Sequence, residues 1–147
     1  MTASTLIGTR RAVATAALGF LALSQLVIGG WALAAPAGFY ATFPASGHAW
    51  VALLPPYNEH LVRDVGALSL ALAVLLTAAA ITADRLMVRV AAGAFSVYAV
   101  PHTLFHGLHL HGFTVVDAAA QMGGFLIQIV LVIITVLATI PPSRQHP

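Results

Sequence analysis

Four apolar runs, each long enough to cross a bilayer, constrain the fold of this chain more than any other feature. They cover roughly Ala12 to Ala35, Leu61 to Ala83, Leu86 to Leu108 and Val115 to Ile140. A helix needs about 20 residues to traverse a hydrocarbon core about 30 Å thick. The chain is 60% hydrophobic and 7% charged, with a mean hydropathy of +0.95, which is too apolar for a soluble domain. The reading is an all-α integral membrane four-helix bundle, a single transmembrane domain over residues 1–147, in contact with the lipid bilayer. The breaks between runs agree with it. Pro36, Gly38, Pro44, Gly47, Pro55 and Pro56 interrupt the first connection, Asp84 and Arg85 make a tight second one, and a His-Gly-Phe-Thr stretch makes the third. Pro141 and Pro142 stop the last helix.

Arginine sets the orientation. Arg10 and Arg11 precede the first span, Arg85 and Arg89 flank the second turn, and Arg144 follows the fourth span, so that only Arg63 falls on the other side. The positive-inside rule makes the arginine-bearing side cytoplasmic and predicts both termini inside, a multi-pass protein of the cell (inner) membrane. Six arginines and no lysine are too sparse a set for a nucleic-acid surface. Trp31, Phe39, Tyr40, Phe43, Trp50 and Tyr57 fall where amphipathic rings favour the outer headgroup boundary. Arg10-Arg11, an apolar run and Ala32-Leu33-Ala34 also resemble a secretory signal. The run is about 22 residues against the usual 7–15 of a signal core, and a retained first span is the expectation.

The absence of cysteine excludes disulfides, thiolate metal sites, iron–sulfur clusters and a cysteine nucleophile. Histidine and carboxylate are the strong metal ligands left. Six of the seven histidines, all but His146, fall at or near the predicted outer side, four of them between Pro101 and Asp117. At about 100° per residue, His102, His106 and His109 lie within roughly 60° of one another on a helix, and His111 points the opposite way.

The second span supplies a facing set. His60 and Asp64 form an i,i+4 pair, and Ala67 and Ala71 continue that face with small side chains. Asp117, Gln121, Gly124 and Gln128 make a polar and small stripe on the fourth span, and Gln25 with Gly29 and Gly30 sits at matching depth on the first. Ionisable groups cost several kcal/mol in hydrocarbon and normally face a bundle interior or water. The expected arrangement therefore holds a polar cavity in the outer half of the bundle, with metal ligands His60, Asp64, His102, His106 and His109. His48 and His111 read as solvated loop residues, Asp117 as a helix cap, Gln121 and Gln128 as interhelical hydrogen-bonding groups, and Glu59 with Arg63 as a pair that fixes a helix end.

The size, the four spans and the Glu59-His60-Leu61-Val62-Arg63-Asp64-Val65-Gly66 opening of the second helix resemble the DoxX-like group of small bacterial four-helix membrane proteins. The resemblance covers most of the chain. It implies a bacterial inner-membrane protein, with some members of the group linked to quinone or thiol redox systems. The lack of cysteine departs from the thiol role. The spacing His102-x-x-x-His106-x-x-His109-x-His111 also resembles the histidine boxes of membrane desaturases and hydroxylases, but those enzymes carry more such boxes, usually on the cytoplasmic side.

The functional expectation is an outward-facing histidine and carboxylate cavity that binds a metal ion (copper, zinc or iron) or a small ligand. One alternative is a membrane redox enzyme or electron carrier with haem b between the second and third helices, held by His60 and His102 or His106. Another is a structural subunit, in a homo-oligomer or with a membrane partner subunit, that has no ligand. No glycine-rich phosphate loop, nucleophile elbow or His-Glu-x-x-His helix is present. The inner halves of the spans are almost uniformly apolar, which favours binding at one side over permeation.

Overall fold

The computed structural model describes residues 5–54 and 56–141. Arg144 and His146, both assigned to the inner side, lie outside the described residues, as do Pro55 and Pro142. Among the described residues the chain forms five helices: α1 (Gly8–Ala34), α2 (Pro36–Thr42), α3 (Glu59–Thr82), α4 (Arg85–Leu108) and α5 (Val115–Ala138). The four long helices match the four apolar runs to within a few residues. The short α2 lies inside the Pro- and Gly-rich connection that reads as irregular in the sequence. It starts on Pro36, whose fixed φ and missing N–H suit the first position of a helix.

Local chemistry explains the helix ends. Asn58 caps α3 by accepting from Leu61 N at 3.1 Å, and Asp84 caps α4 by accepting from Leu86 N and Met87 N at 3.0 Å each. Between them Ala83 adopts a left-handed conformation at φ 49°, and its N–H closes on Ala79 O. That geometry reverses the chain within two residues.

α1 packs along α3 on one side and α5 on the other, and α4 lies between α3 and α5 to complete the ring. Consecutive long helices run antiparallel, which follows from the contacts at each end. At one end Leu6 N donates to Ala83 O at 2.8 Å, Arg11 to Ile81 O at 3.4 Å, Arg10 to Ile140 O and Arg89 Nε to Thr139 Oγ1 at 3.0 Å. At the other end Arg63 donates to Leu33 O at 2.6 Å. Arg10 thus meets a carbonyl two residues past the end of α5 and Arg11 one in the last turn of α3, where a cation complements the helix dipole.

Small residues fill the interior. Ala14, Ala17, Ala73, Ala79, Ala91 and Ala92 are buried around Leu18, Leu21, Leu76, Val88 and Phe95. Large aliphatics face outward: Leu68, Val74, Ile81, Leu86, Val97, Leu108 and Val115 are all exposed. Lipid tails are as apolar as leucine, so helices in a bilayer associate through close packing of small residues rather than by hiding large ones. The closest approach joins α1 and α3, where a Cβ added at Gly29 would lie 2.8 Å from Gly66 O, and one at Gly66 would lie 2.7 Å from Leu33 N.

α1, α3 and α5 are long and apolar enough to cross a membrane, as expected of a multi-pass membrane protein. α4 equals α3 and α5 in length at 24 residues but is not among them. Arg85, Arg89, Pro101, His102 and His106 dilute its apolar content, so three helices, where the sequence pattern suggested four spans, meet that measure.

Candidate histidine site at the end opposite the arginines

Asp117 organises this end. Thr114 is the residue that caps α5, its hydroxyl accepting from Asp117 N at 3.1 Å and donating to Asp117 Oδ2 at 2.7 Å. Asp117, expected to be the cap itself, sits one turn in and accepts from elsewhere. His48 Nδ1 lies 2.6 Å from its Oδ1, and Trp50 Nε1 donates to the same oxygen at 2.8 Å. A carboxylate has acceptor sites for all three donors. His48, read as a solvated loop residue, does lie in the loop with its side chain exposed, and it is also bonded to a buried aspartate.

A chain of rings holds that connection against α1. Trp31 meets Phe39 edge-on at 5.7 Å between centroids, Phe39 meets Phe43 at 4.8 Å, and Phe43 meets Trp50 at 6.1 Å. The Phe43-Pro44 peptide is cis. The stretch from Phe43 to Trp50 is fastened to α1 through rings and to α5 through Asp117.

Next to this cap, α4 places His102 and His106 in ring contact at 4.5 Å. His102 stacks on Tyr98 at 5.0 Å and meets Phe125 of α5 edge-on at 5.0 Å. His106 is buried, and its Nδ1 lies 3.1 Å from Gln121 Oε1. With the Gln121 amide oxygen as acceptor, this Nδ1 donates and a neutral ring keeps its lone pair on Nε2. His109 leaves the shared helical face because α4 ends at Leu108 and His109 is its C-cap, at φ −124° and ψ 47°. Its ring stacks on Phe105 at 4.1 Å, and its Nδ1 donates to Phe105 O at 2.7 Å. His109 thereby has the same tautomer as His106. A shallow hollow of about 240 Å³ lies beside His109, lined by Leu53, Leu54, Phe105, His109 and His111.

The structure does not bring the second-span pair to this cluster. His60 Nε2 and Asp64 Oδ2 are 3.2 Å apart, but both side chains are exposed, at 87% and 54%, and their bond is to each other. Glu59 and Arg63 form the expected pair at 2.8 Å, and Arg63 also ties α3 to the end of α1. Among the described residues no three His, Asp or Glu side chains converge so as to hold one metal ion. Nor does the arrangement suit haem b. The pair it calls for is His60 with His102 or His106, and His60 is 87% exposed with its Nε2 bonded to Asp64 on its own helix.

Sequence reasoning places Trp50 at this end but not its bond to Asp117, and misses Thr114, Tyr98 and Phe125. Thr114-x-x-Asp117 has the spacing of a capping box, a signal that was available. The ring contacts have no such local signature. Comparison of the chain with protein-family models, with curated proteins and with solved structures finds no match.

Proposed function

We propose that the chain is a bacterial-type inner-membrane protein in which α4 joins α1, α3 and α5 as a fourth crossing helix. The arginine end faces the cytoplasm, and the opposite end binds a transition-metal ion through imidazoles of α4. Orientation rests on Arg10, Arg11, Arg85 and Arg89 lying together at one end, the bias that keeps such a side in the cytoplasm. The fourth crossing rests on the length of α4 and its place between α3 and α5.

The observation that carries the metal reading is shared by two rings. Nδ1 of His106 and Nδ1 of His109 are each held by a carbonyl oxygen, which leaves each Nε2 with its lone pair. In metal sites this outer contact fixes the tautomer and orientation of a ligating histidine. The hollow beside His109, of about 240 Å³, is smaller than the roughly 300–1,000 Å³ of organic-ligand pockets, which favours an ion with its waters. With imidazole donors and no thiolate, the ion class is zinc, copper, iron or nickel. Two protein donors completed by water make an exchangeable site rather than a structural one.

A second reading has its own support, because the His106–Gln121 bond joins α4 to α5 and such bonds can serve helix association alone. Titration of the purified full chain with cobalt(II), followed by visible absorption, separates the two. The metal reading expects one ion per chain and at least about tenfold weaker binding in His106→Ala and in His109→Ala, with helix content unchanged. Absence of binding by the wild type overturns it. Loss of thermal stability in His106→Ala, with cobalt binding intact, supports the structural reading instead.

A further inference from the structure

The arginine end of the molecule carries a groove that the proposed metal site does not use. It lies between the first turns of α1 and the last turns of α5, is lined by Thr9, Arg10, Val13, Ile134, Leu137 and Ala138, and encloses about 240 Å³. Its two halves differ in chemistry. Thr9 and Arg10 stand at the helix end, while Val13 lies about 4.5 Å deeper, at 1.5 Å per residue, facing Ile134, Leu137 and Ala138. Val13 and Leu137 are exposed, so the groove opens sideways onto the surface that meets lipid.

The polar end of the groove favours an anion. α1 begins without a side-chain cap and without an acidic residue in its first turn. Among the described residues, no backbone carbonyl accepts from the N–H groups of Gly8, Thr9 or Arg10, in keeping with the donors that the opening turn of a helix leaves outside its own ladder. They add to the positive end of the α1 dipole. The Arg10 guanidinium spends one N–H on Ile140 O and has other donors to offer. Basic pockets between transmembrane helices on the cytoplasmic side are suited to anionic lipid headgroups.

We propose that this groove is a binding site for an anionic phospholipid, with the phosphodiester at Thr9, Arg10 and the start of α1 and an acyl chain along Val13, Ile134, Leu137 and Ala138. A free phosphate would use only the upper half, and the continuous aliphatic lining below Arg10 is what selects a lipid. The site depends on the chain lying in a membrane, and not on the metal reading.

Native mass spectrometry of the detergent-solubilised full chain, with equal amounts of phosphatidylglycerol and phosphatidylcholine of the same acyl composition, tests it. The wild type is expected to retain phosphatidylglycerol in preference, and Arg10→Gln to lower that preference about fivefold, as one basic contact supplies. Arg10→Lys should keep most of it. Val13→Trp, at an exposed position that needs no refolding of the interior, should weaken retention of the lipid with every arginine still in place. Arg11→Gln, whose guanidinium turns toward Ile81 on α3, should change little. Equal retention of the two lipids by the wild type overturns the proposal. So does an equal loss for Arg10→Gln and Arg11→Gln, which would mean a diffuse basic belt. Displacement of the lipid by millimolar inorganic phosphate would assign the site to a free anion and overturn it too.

Discussion

His48 Nδ1 and Asp117 Oδ1 meet at 2.6 Å across 69 residues of sequence, and with Trp50 this contact ties the first connection to the start of α5. Asp117 lies one helical turn before Gln121, and Gln121 bonds to His106. The fastening of the connection and the position of the buried imidazole therefore share one stretch of α5.

Replacing Asp117 removes an acceptor that three donors use. Hydrogen bonds to a charged group contribute about 1.5–3 kcal/mol, and the His48 and Trp50 donors would have to find water instead. Asp117→Ala is expected to lower the melting temperature in detergent and to shift Trp50 fluorescence to the red. Asp117→Asn, which keeps an acceptor oxygen but not the charge, should fall between it and the wild type. Unchanged melting and emission for Asp117→Ala would mean that the connection is held by its rings alone.

Among the described glycines, Gly29 and Gly66 at the α1–α3 crossing lie closest to a neighbouring backbone. A methyl group at Gly29 would lie 2.8 Å from a backbone oxygen, whereas one at Gly30 would meet nothing within 4 Å. Gly29→Ala should cost about 1–3 kcal/mol, the range for overpacking, and Gly30→Ala close to nothing. Paired thermal melts decide it, and equal effects at the two sites would contradict the crossing.

Gln25 is fully buried, and neither of its amide atoms has a hydrogen-bond partner among the described residues. An unpaired buried polar group costs about 1–3 kcal/mol. Gln25→Met, of similar length and without those groups, is expected to raise the melting temperature. A fall would show that the amide is engaged by a bound group.

The sequence contains no cysteine, so single cysteines can report the orientation. Ser46→Cys, in the connection at the histidine end, should react with a membrane-impermeant maleimide in intact cells. Thr82→Cys, exposed at the arginine end, should react only after permeabilisation. The reverse pattern would overturn the proposed topology.

How far the sequence was legible depends on the range of the interaction. The four long helices could be read because apolar runs and their punctuation are local, and the arginines announced one end because they lie beside the breaks. His109 was placed on the face of His102 and His106 by helical arithmetic, yet the helix stops at Leu108 and its ring folds back onto Phe105. His60 and Asp64 were paired with each other, as i,i+4 spacing dictates. Whether that pair turns inward depends on which face of α3 meets α1, and Gly66 and Ser69 take that place. The fastening of His48 and Trp50 to Asp117 spans nearly half the chain, and no periodicity encodes it.

Nitrogen-15 NMR of the full chain with ring-labelled histidine tests the central claim most directly, because it reads the protonation of each ring nitrogen. For the neutral rings of His106 and His109 the account predicts the proton on Nδ1 and not on Nε2, with both Nε2 signals shifting together on addition of one equivalent of zinc. A protonated Nε2 on either ring, or Nε2 signals that zinc leaves in place, would contradict it.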